Sequence, residues 1–439
     1  VADENQPLQS LHYGWVILFM SVVTVLGCLG FARFGYTMIL PHMKDGLGLT
    51  KTQAGNLATG NFVGYLILAI VGGFLAARCG PRVVISLAML LIGVTMFLTG
   101  LAPNFQMAFV WRTLTGVGSG GSNVPVMGLV SAWFGSKRRG LAAGIAVGGS
   151  SVGLAITGPL IPRIIGAYGA DGWRYSWYYL GAMTVIIAVL CFVLLRDRPE
   201  EKGLMAIGSD KGPSPSPQDK PFGSAQDKPF GSAQDKPFGS AQDRASSLQW
   251  GLVYKSRAVW HLALIYIMFG FSYIIYATFF ADYLTGEAGF TKEAAGWLWM
   301  LAGLVSFVSG FIWGTVSDVI GRKYGLALVY LLQGLCFTIF GLWKAPPGYY
   351  LSVLLFALTA WSIPAIMAAT CGDYLGPRLA PAALGFVTVF FGTGQAIGPT
   401  LAGYIGDVTG SYTWAFIIAG LAAFVGAGGA LSLRPPREV

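Results

Sequence analysis

The 439-residue chain is 54% hydrophobic and only 11% charged, with a mean hydropathy of +0.63; soluble domains carry about 25% charged residues, so lipid rather than water is the solvent that suits this surface. The net charge of +9 does not point to nucleic acid, because the basic residues sit in loops between apolar runs and no basic helix with interleaved aromatics occurs. Five cysteines occur singly and three histidines are scattered, so no disulfide framework, metal site, cofactor site or catalytic cluster is indicated.

Apolar runs long enough to span a membrane fall at 13–40, 54–77, 83–101, 105–133, 141–167 and 173–195, then at 258–281, 294–316, 325–343, 349–375, 381–405 and 412–433. Each exceeds the roughly 17 residues a helix needs to cross the hydrocarbon. The first run is too long for a signal-peptide core and follows no small-residue cleavage site. The predicted fold is an all-α integral membrane protein of twelve transmembrane helices. It divides into a six-helix bundle over 1–195, a cytoplasmic linker over 196–250 and a second six-helix bundle over 251–439, the two bundles being pseudo-symmetric. With both termini cytoplasmic, most Lys and Arg, including Arg78, Arg82, Lys137–Arg139, Arg322 and Lys323, lie on the inside, and Lys44, Lys51, Arg163, Arg174, Lys292 and Lys344 lie outside. This topology suits a multi-pass protein of a bacterial inner membrane.

The linker repeats Asp-Lys-Pro-Phe-Gly-Ser-Ala-Gln three times without change, beginning at Asp219, Asp227 and Asp235. Its Pro, Gly, Ser and charge cannot bury a core, so it is predicted to be disordered. The halves match at a nearly fixed offset: Gly73 with Gly314, Gly80 with Gly321, Gly135 with Gly376, Gly144 with Gly385, and Gly158-Pro159 with Gly398-Pro399. Parallel repeats joined by a cytoplasmic linker are transporter architecture, with the substrate held between them near mid-membrane.

These residues also carry a family resemblance. Gly314-Thr-Val-Ser-Asp318-Val-Ile-Gly321-Arg322-Lys323 resembles the loop 8–9 signature of the major facilitator superfamily, and Arg112-Thr-Leu-Thr-Gly116-Val-Gly118 resembles its helix-4 motif. The Gly-Pro pairs resemble its kink motif on helices 5 and 11. The Gly14-Trp15 start and Arg33 are similar to the monocarboxylate porters, which carry a cation at a similar place on helix 1. The run Phe31-Ala-Arg33-Phe-Gly-Tyr36 resembles the YbfB/YjiJ-like bacterial transporters. The chain departs from the pattern in three places: Ala77 stands where the first-half signature usually has Asp, helix 8 lacks the Asp and Arg of the animal monocarboxylate porters, and helix 11 lacks the Lys of the oxalate–formate exchangers.

The resemblance implies a monomeric secondary transporter alternating access around one central site. The residues suggest a small organic anion as substrate, a monocarboxylate, with a proton as a candidate companion ion. Arg33 lies about 30 Å along helix 1 and Arg112 about 13 Å into helix 4. An arginine at a helix centre costs about 2.5–3.5 kcal/mol, so such residues usually face a cavity or a partner. Two cations on cavity-lining helices with no acid nearby make an anion trap. The alternatives are snorkelling of Arg33 to the interface and a bond from Arg112 to neighbouring carbonyls. Asn61, Asn123 and Gln395, with the aromatic Tyr36, Tyr65, Tyr273, Tyr276 and Trp361, complete the predicted lining. Asp318, Gly321, Arg322 and Lys323 form the predicted gate, with Asp318 at a neighbouring helix N-terminus and Arg322 paired to it. No carboxylate is expected at mid-depth, since Asp282 and Asp373 fall at helix ends. An efflux antiporter for amphiphilic compounds is the competing reading, suggested by the Gly-Pro motifs and the aromatic lining. Deleting Asp219–Gln242 should leave transport and membrane insertion intact; loss of transport in a normally inserted protein would count against a dispensable linker.

Overall fold

The computed structural model describes residues 12–208 and 250–433, and the three linker repeats fall outside them. The described residues are helical nearly throughout. The helices are α1 (Gly14–Leu47), α2 (Lys51–Cys79), α3 (Pro81–Leu101), α4 (Phe105–Trp133), α5 (Ser136–Val147 and Gly149–Tyr168) and α6 (Gly172–Leu194). After a short helix, Trp250–Lys255, come α7 (Arg257–Gly286), α8 (Lys292–Ser306 and Ser309–Ile320), α9 (Arg322–Leu342), α10 (Pro346–Gly376), α11 (Leu379–Thr409) and α12 (Thr413–Leu431). By length and apolarity, eight stretches among the described residues can cross a membrane, or ten when each of two bent pairs is taken as one span. Two features keep this count below the expected twelve. The 57-residue stretch Arg138–Leu194 covers two of the expected runs. α4 is not among the eight, its middle being Gly116-Val-Gly-Ser-Gly-Gly-Ser-Asn123.

That glycine-rich stretch has a packing role. A Cβ on Gly116 would strike the Asn61 carbonyl, and one on Gly120 the Tyr65 carbonyl, so α4 lies against α2 backbone to backbone. Side chains reverse the soluble arrangement: Phe19, Leu87, Ile186, Leu264 and Phe311 are exposed on the outside, while Arg112, Gln333 and Gln395 are buried. The loop glycines Gly80 (φ 85°, ψ 137°) and Gly321 (φ 92°, ψ 144°) adopt one conformation that a side chain would strain, so the sequence repeat is also a backbone repeat.

Contacts between the first-half and second-half helices concentrate at mid-depth and at the end away from the termini. Thr37 donates to the Ala277 carbonyl at 2.6 Å and Thr59 to that of Ala396 at 2.6 Å. A Cβ on Gly55 would meet Pro399 backbone, one on Gly158 that of Gly296, and one on Gly403 that of Lys51. Toward the terminal end, Gly128, Gly140, Gly144, Gly314, Gly372 and Gly385 face open space. Among the described residues, these contacts join the halves at mid-depth and at the far end.

One sequence expectation is corrected here. Residues 196–208, assigned to the disordered linker, follow a fixed path under the first half. Pro199–Lys202 forms a 3₁₀ turn, the Ile207 amide donates to Trp133 and its carbonyl accepts from Gly135, both at 2.9 Å. His12 contacts the Met205 carbonyl at 3.1 Å. The apolar Leu204 and Ile207 of this segment pack against the hydrophobic core.

Gly55→Leu or Gly158→Leu should prevent close approach of the halves. Single cysteines at far-end loops should then react faster with a membrane-impermeant thiol reagent than in the parent; equal rates would show that these glycines do not set the closure.

Candidate functional site

The site begins with an irregularity in α1. Leu26–Phe34 is wound as a π-helix, a form that recurs at functional positions. Gly30 in this segment lies against Gly153 of α5 with no room for a Cβ on either, so the wide turn is pressed onto its neighbour. Arg33 closes the turn. Its guanidinium lies over the rings of Phe62 and Tyr65, 4.6 Å from each centroid, with Tyr273 close enough to feel its charge. The Gln395 amide donates to the Tyr273 hydroxyl, and Asn123 donates to that of Tyr65 at 2.9 Å. Arg33 is 9% exposed, yet its Nε and Nη2 make no hydrogen bond, and no carboxylate among the described residues pairs with it. The two aromatic faces offset roughly 1–2 kcal/mol each of the burial cost but satisfy no N–H. The arrangement is a buried cation with free donors, ringed by neutral hydroxyl and amide groups from α2, α4, α7 and α11.

Arg112, expected to share this role, is differently engaged. It is 1% exposed and donates from Nη1 to the Ala32 carbonyl at 2.6 Å, within the π segment. The Tyr36 and Trp177 rings flank it at 4.7 and 4.9 Å, and its own carbonyl accepts from Asn61 at 3.1 Å. It therefore braces the turn that carries Arg33. Arg33, Tyr36, Thr37, Asn61, Arg112 and Thr278 line a cavity of about 10 Å³, space for about one water.

Of the remaining predicted lining, Gln395 and Asn123 join the Arg33 cluster directly. Trp361 stands beside it, with its indole donating to Ser151 at 2.8 Å and its ring edge-on to Phe34. Tyr276 does not belong: it is fully buried among Phe280, Phe337, Phe340, Phe356 and Phe416, with its hydroxyl bonded to Ser352. Its place in an aromatic run on α7 suggested a lining residue, but its helical face turns into the second half's own core. Of the predicted aromatic lining, Tyr65 and Tyr273 lie in the Arg33 cluster, and Phe62, outside that prediction, supplies the second ring.

In the gate sequence, Arg322 pairs with Asp318 and also reaches Asp373 at 2.9 Å and Ser317 at 2.8 Å. Gly321 makes the turn between α8 and α9, and Lys323 lies over the Tyr324 ring. All these partners are in the second half, tying α8, α9 and α10 together. In the first half, where Ala77 removes the carboxylate, Asp197 arrives from beyond α6 and accepts from the Arg82 amide at 2.7 Å. This capping of the α3 N-terminus by an acid depends on the chain's return path and is invisible in the loop motif.

The sequence reading placed Asp282 near a helix end but missed its partners. It is 2% exposed, takes both oxygens to Lys44 at 2.6 and 2.8 Å and accepts from Tyr412 at 2.7 Å. The repeat held a signal for this pair, because Lys44 and Asp282 occupy nearly equivalent positions in the two halves, and symmetric helices α1 and α7 cross there. Among the described residues, no three His, Cys, Asp or Glu gather to hold a metal.

Arg112→Leu should lower the thermal midpoint of detergent-solubilised protein by on the order of 5 °C, since a charged hydrogen bond contributes about 1.5–3 kcal/mol. Arg33→Leu should lower it little or raise it. The reverse ranking would show that Arg33 is the structural cation.

The comparisons with known proteins bear on the fold and the family. The Major Facilitator Superfamily model matches residues 22–363 and 262–439. The chain is 24% identical to the hexuronate transporter of Bacillus subtilis, covering 93% of this chain and 92% of that one. It is 26% identical to a probable sulfoacetate transporter of Cupriavidus necator, over 92% and 90%, and 22% identical to a putative tartrate transporter of Agrobacterium vitis, over 92% and 87%. Its fold is similar to that of a bacterial homolog of the human lysosomal transporter Spinster in an inward-facing, unoccupied conformation, with a TM-score of 0.71 at 15% identity, covering 98% of this chain and 100% of that one. The matched regions span both repeats and the signature residues Gly314–Lys323, and the chain belongs to the Major Facilitator Superfamily, as a multi-pass membrane transporter.

Proposed function

We propose that this protein carries a small organic anion with one carboxylate across a bacterial inner membrane, by alternating access between two six-helix bundles of a twelve-span fold. We place both termini in the cytoplasm, so the far end, where the halves meet, faces outward. The observation that carries this reading is Arg33, buried with Nε and Nη2 unpartnered. A guanidinium is suited to a carboxylate because its planar fork can donate two parallel hydrogen bonds. Arg112 gives its Nη1 to the Ala32 carbonyl and leaves only Nε unpartnered, so Arg33, with two unpartnered donors, is the better placed of the two to grip a single anionic group. The groups around Arg33 are neutral: Tyr65, Asn123, Tyr273 and Gln395 offer hydroxyls and amides that suit the hydroxyls of a sugar acid or hydroxy acid. The names of the relatives support this class, since hexuronate, tartrate and sulfoacetate are all organic anions. The cavity at the arginines admits about one water, so a substrate enters only when the helices around it part.

The test is uptake into proteoliposomes of labelled glucuronate, lactate, tartrate and sulfoacetate, with glucose as the neutral control, in the presence and absence of a pH gradient. Glucuronate should be taken up and glucose not. Arg33→Lys should weaken anion binding about tenfold, the equivalent of one lost charge-assisted hydrogen bond. Uptake unaffected by Arg33→Ala would sink the reading, and export of a cationic dye with no anion transport would replace it by efflux.

A further inference from the structure

We propose that the far end of the molecule is held shut by an electrostatic clasp of fixed polarity, and that this clasp sets which way the empty transporter faces. The inference rests on the alternating-access reading. Three contacts make it, and in each the anion belongs to the second half and the positive group to the first. Asp282 on α7, itself buried, binds the part-exposed Lys44 on α1 at 2.6 Å, with the Tyr412 hydroxyl as its further partner. Glu287, just past α7, binds Lys51 at 3.1 Å while accepting from the Tyr412 amide and the Ser411 hydroxyl. Asp407 on α11 accepts from the amides of Lys51 and Thr52, each at 2.8 Å, and from the Thr52 hydroxyl. Those amides are the first turn of α2, so Asp407 caps a helix of the opposite half, where the helix dipole favours an anion.

The polarity matters. When the halves part at this end, every positive group leaves with one half and every carboxylate stays with the other, so no member can re-pair within its own half through these contacts. Asp282 keeps only the Tyr412 hydroxyl, and the α2 N-terminus loses its cap while its Thr50–Gln53 capping box remains. Breaking a buried pair leaves uncompensated charge, which water can relieve only once the end is open. The clasp therefore biases the resting protein toward the closed far end, and bound substrate must outweigh it.

The experiment uses the full chain in lipid nanodiscs, with exposed Cys79 replaced by Ser and nitroxides placed at Ala170→Cys and Lys344→Cys, exposed far-end positions in opposite halves. Double electron–electron resonance then reads the far-end separation. Asp282→Asn should raise the share of the longer distance about tenfold or more, and the swap Lys44→Glu with Asp282→Lys should restore much of the short one. Glu287→Gln and Asp407→Asn, at the exposed rim, should shift the share in the same direction by about two- to fivefold each and serve if Asp282→Asn does not fold. Unchanged proportions in all three neutralised variants, in a parent that samples both distances, overturn the clasp alone. An open Asp282→Asn that the swap does not improve overturns its electrostatic basis. A parent that transports while holding one distance throughout overturns the alternating-access reading, and the clasp with it.

Discussion

An arginine inside an apolar helix has to find acceptors within the protein, because lipid offers none. Arg112 meets this constraint by donating to the Ala32 carbonyl and lying between two aromatic rings. The consequence is mechanical: the acceptor lies in the π-helical segment of α1, so the bond holds an otherwise irregular turn in place. That turn ends in Arg33, whose side chain is directed at Phe62, Tyr65 and Tyr273. An arginine anchored to the backbone, with Nε alone unpartnered, thus presents a second arginine with two unpartnered donors. The asymmetry between them turns two similar cations into a scaffold and a candidate ligand-binding group.

Glycine governs the rest of the architecture. Without the hydrophobic effect to drive helices together in lipid, association relies on close packing, and the tightest approaches here lie where a Cβ would strike a carbonyl. Gly30 against Gly153 fixes α1 to α5, and Gly116 and Gly120 fix α4 to α2. The same device acts between the halves at Gly55, Gly158 and Gly403, where it is joined by the acidic contacts to Lys44, Lys51 and the start of α2. Toward the terminal end, glycines such as Gly314 and Gly385 have open space around them.

The fold was largely legible because hydropathy, basic loops and repeated glycines are local properties of sequence. The long apolar runs, the matched loops at Gly80 and Gly321 and the Arg322–Asp318 pairing follow from spacing alone. The site was legible only in part. Arg33 stood out because a charge in an apolar run is costly wherever it lies, and Gln395 and Asn123 because polar residues are rare there. Tyr276 was misassigned because aromatic residues are compatible with both a cavity wall and a core, and helical phase relative to the bundle decides between them.

What the sequence determined by itself, then, was the membrane environment, the helical class and the residues too polar to sit in lipid without a reason. Tertiary structure alone decided which of those residues are satisfied. Arg112 finds a carbonyl eighty positions away, Asp282 finds Lys44 across the two halves, Asp197 stands in for the missing acid at Ala77, and Arg33 keeps two free donors. The physical reason is that the cost of a buried charge depends on distance to its partners, and partners far apart in the chain become neighbours only when helices pack.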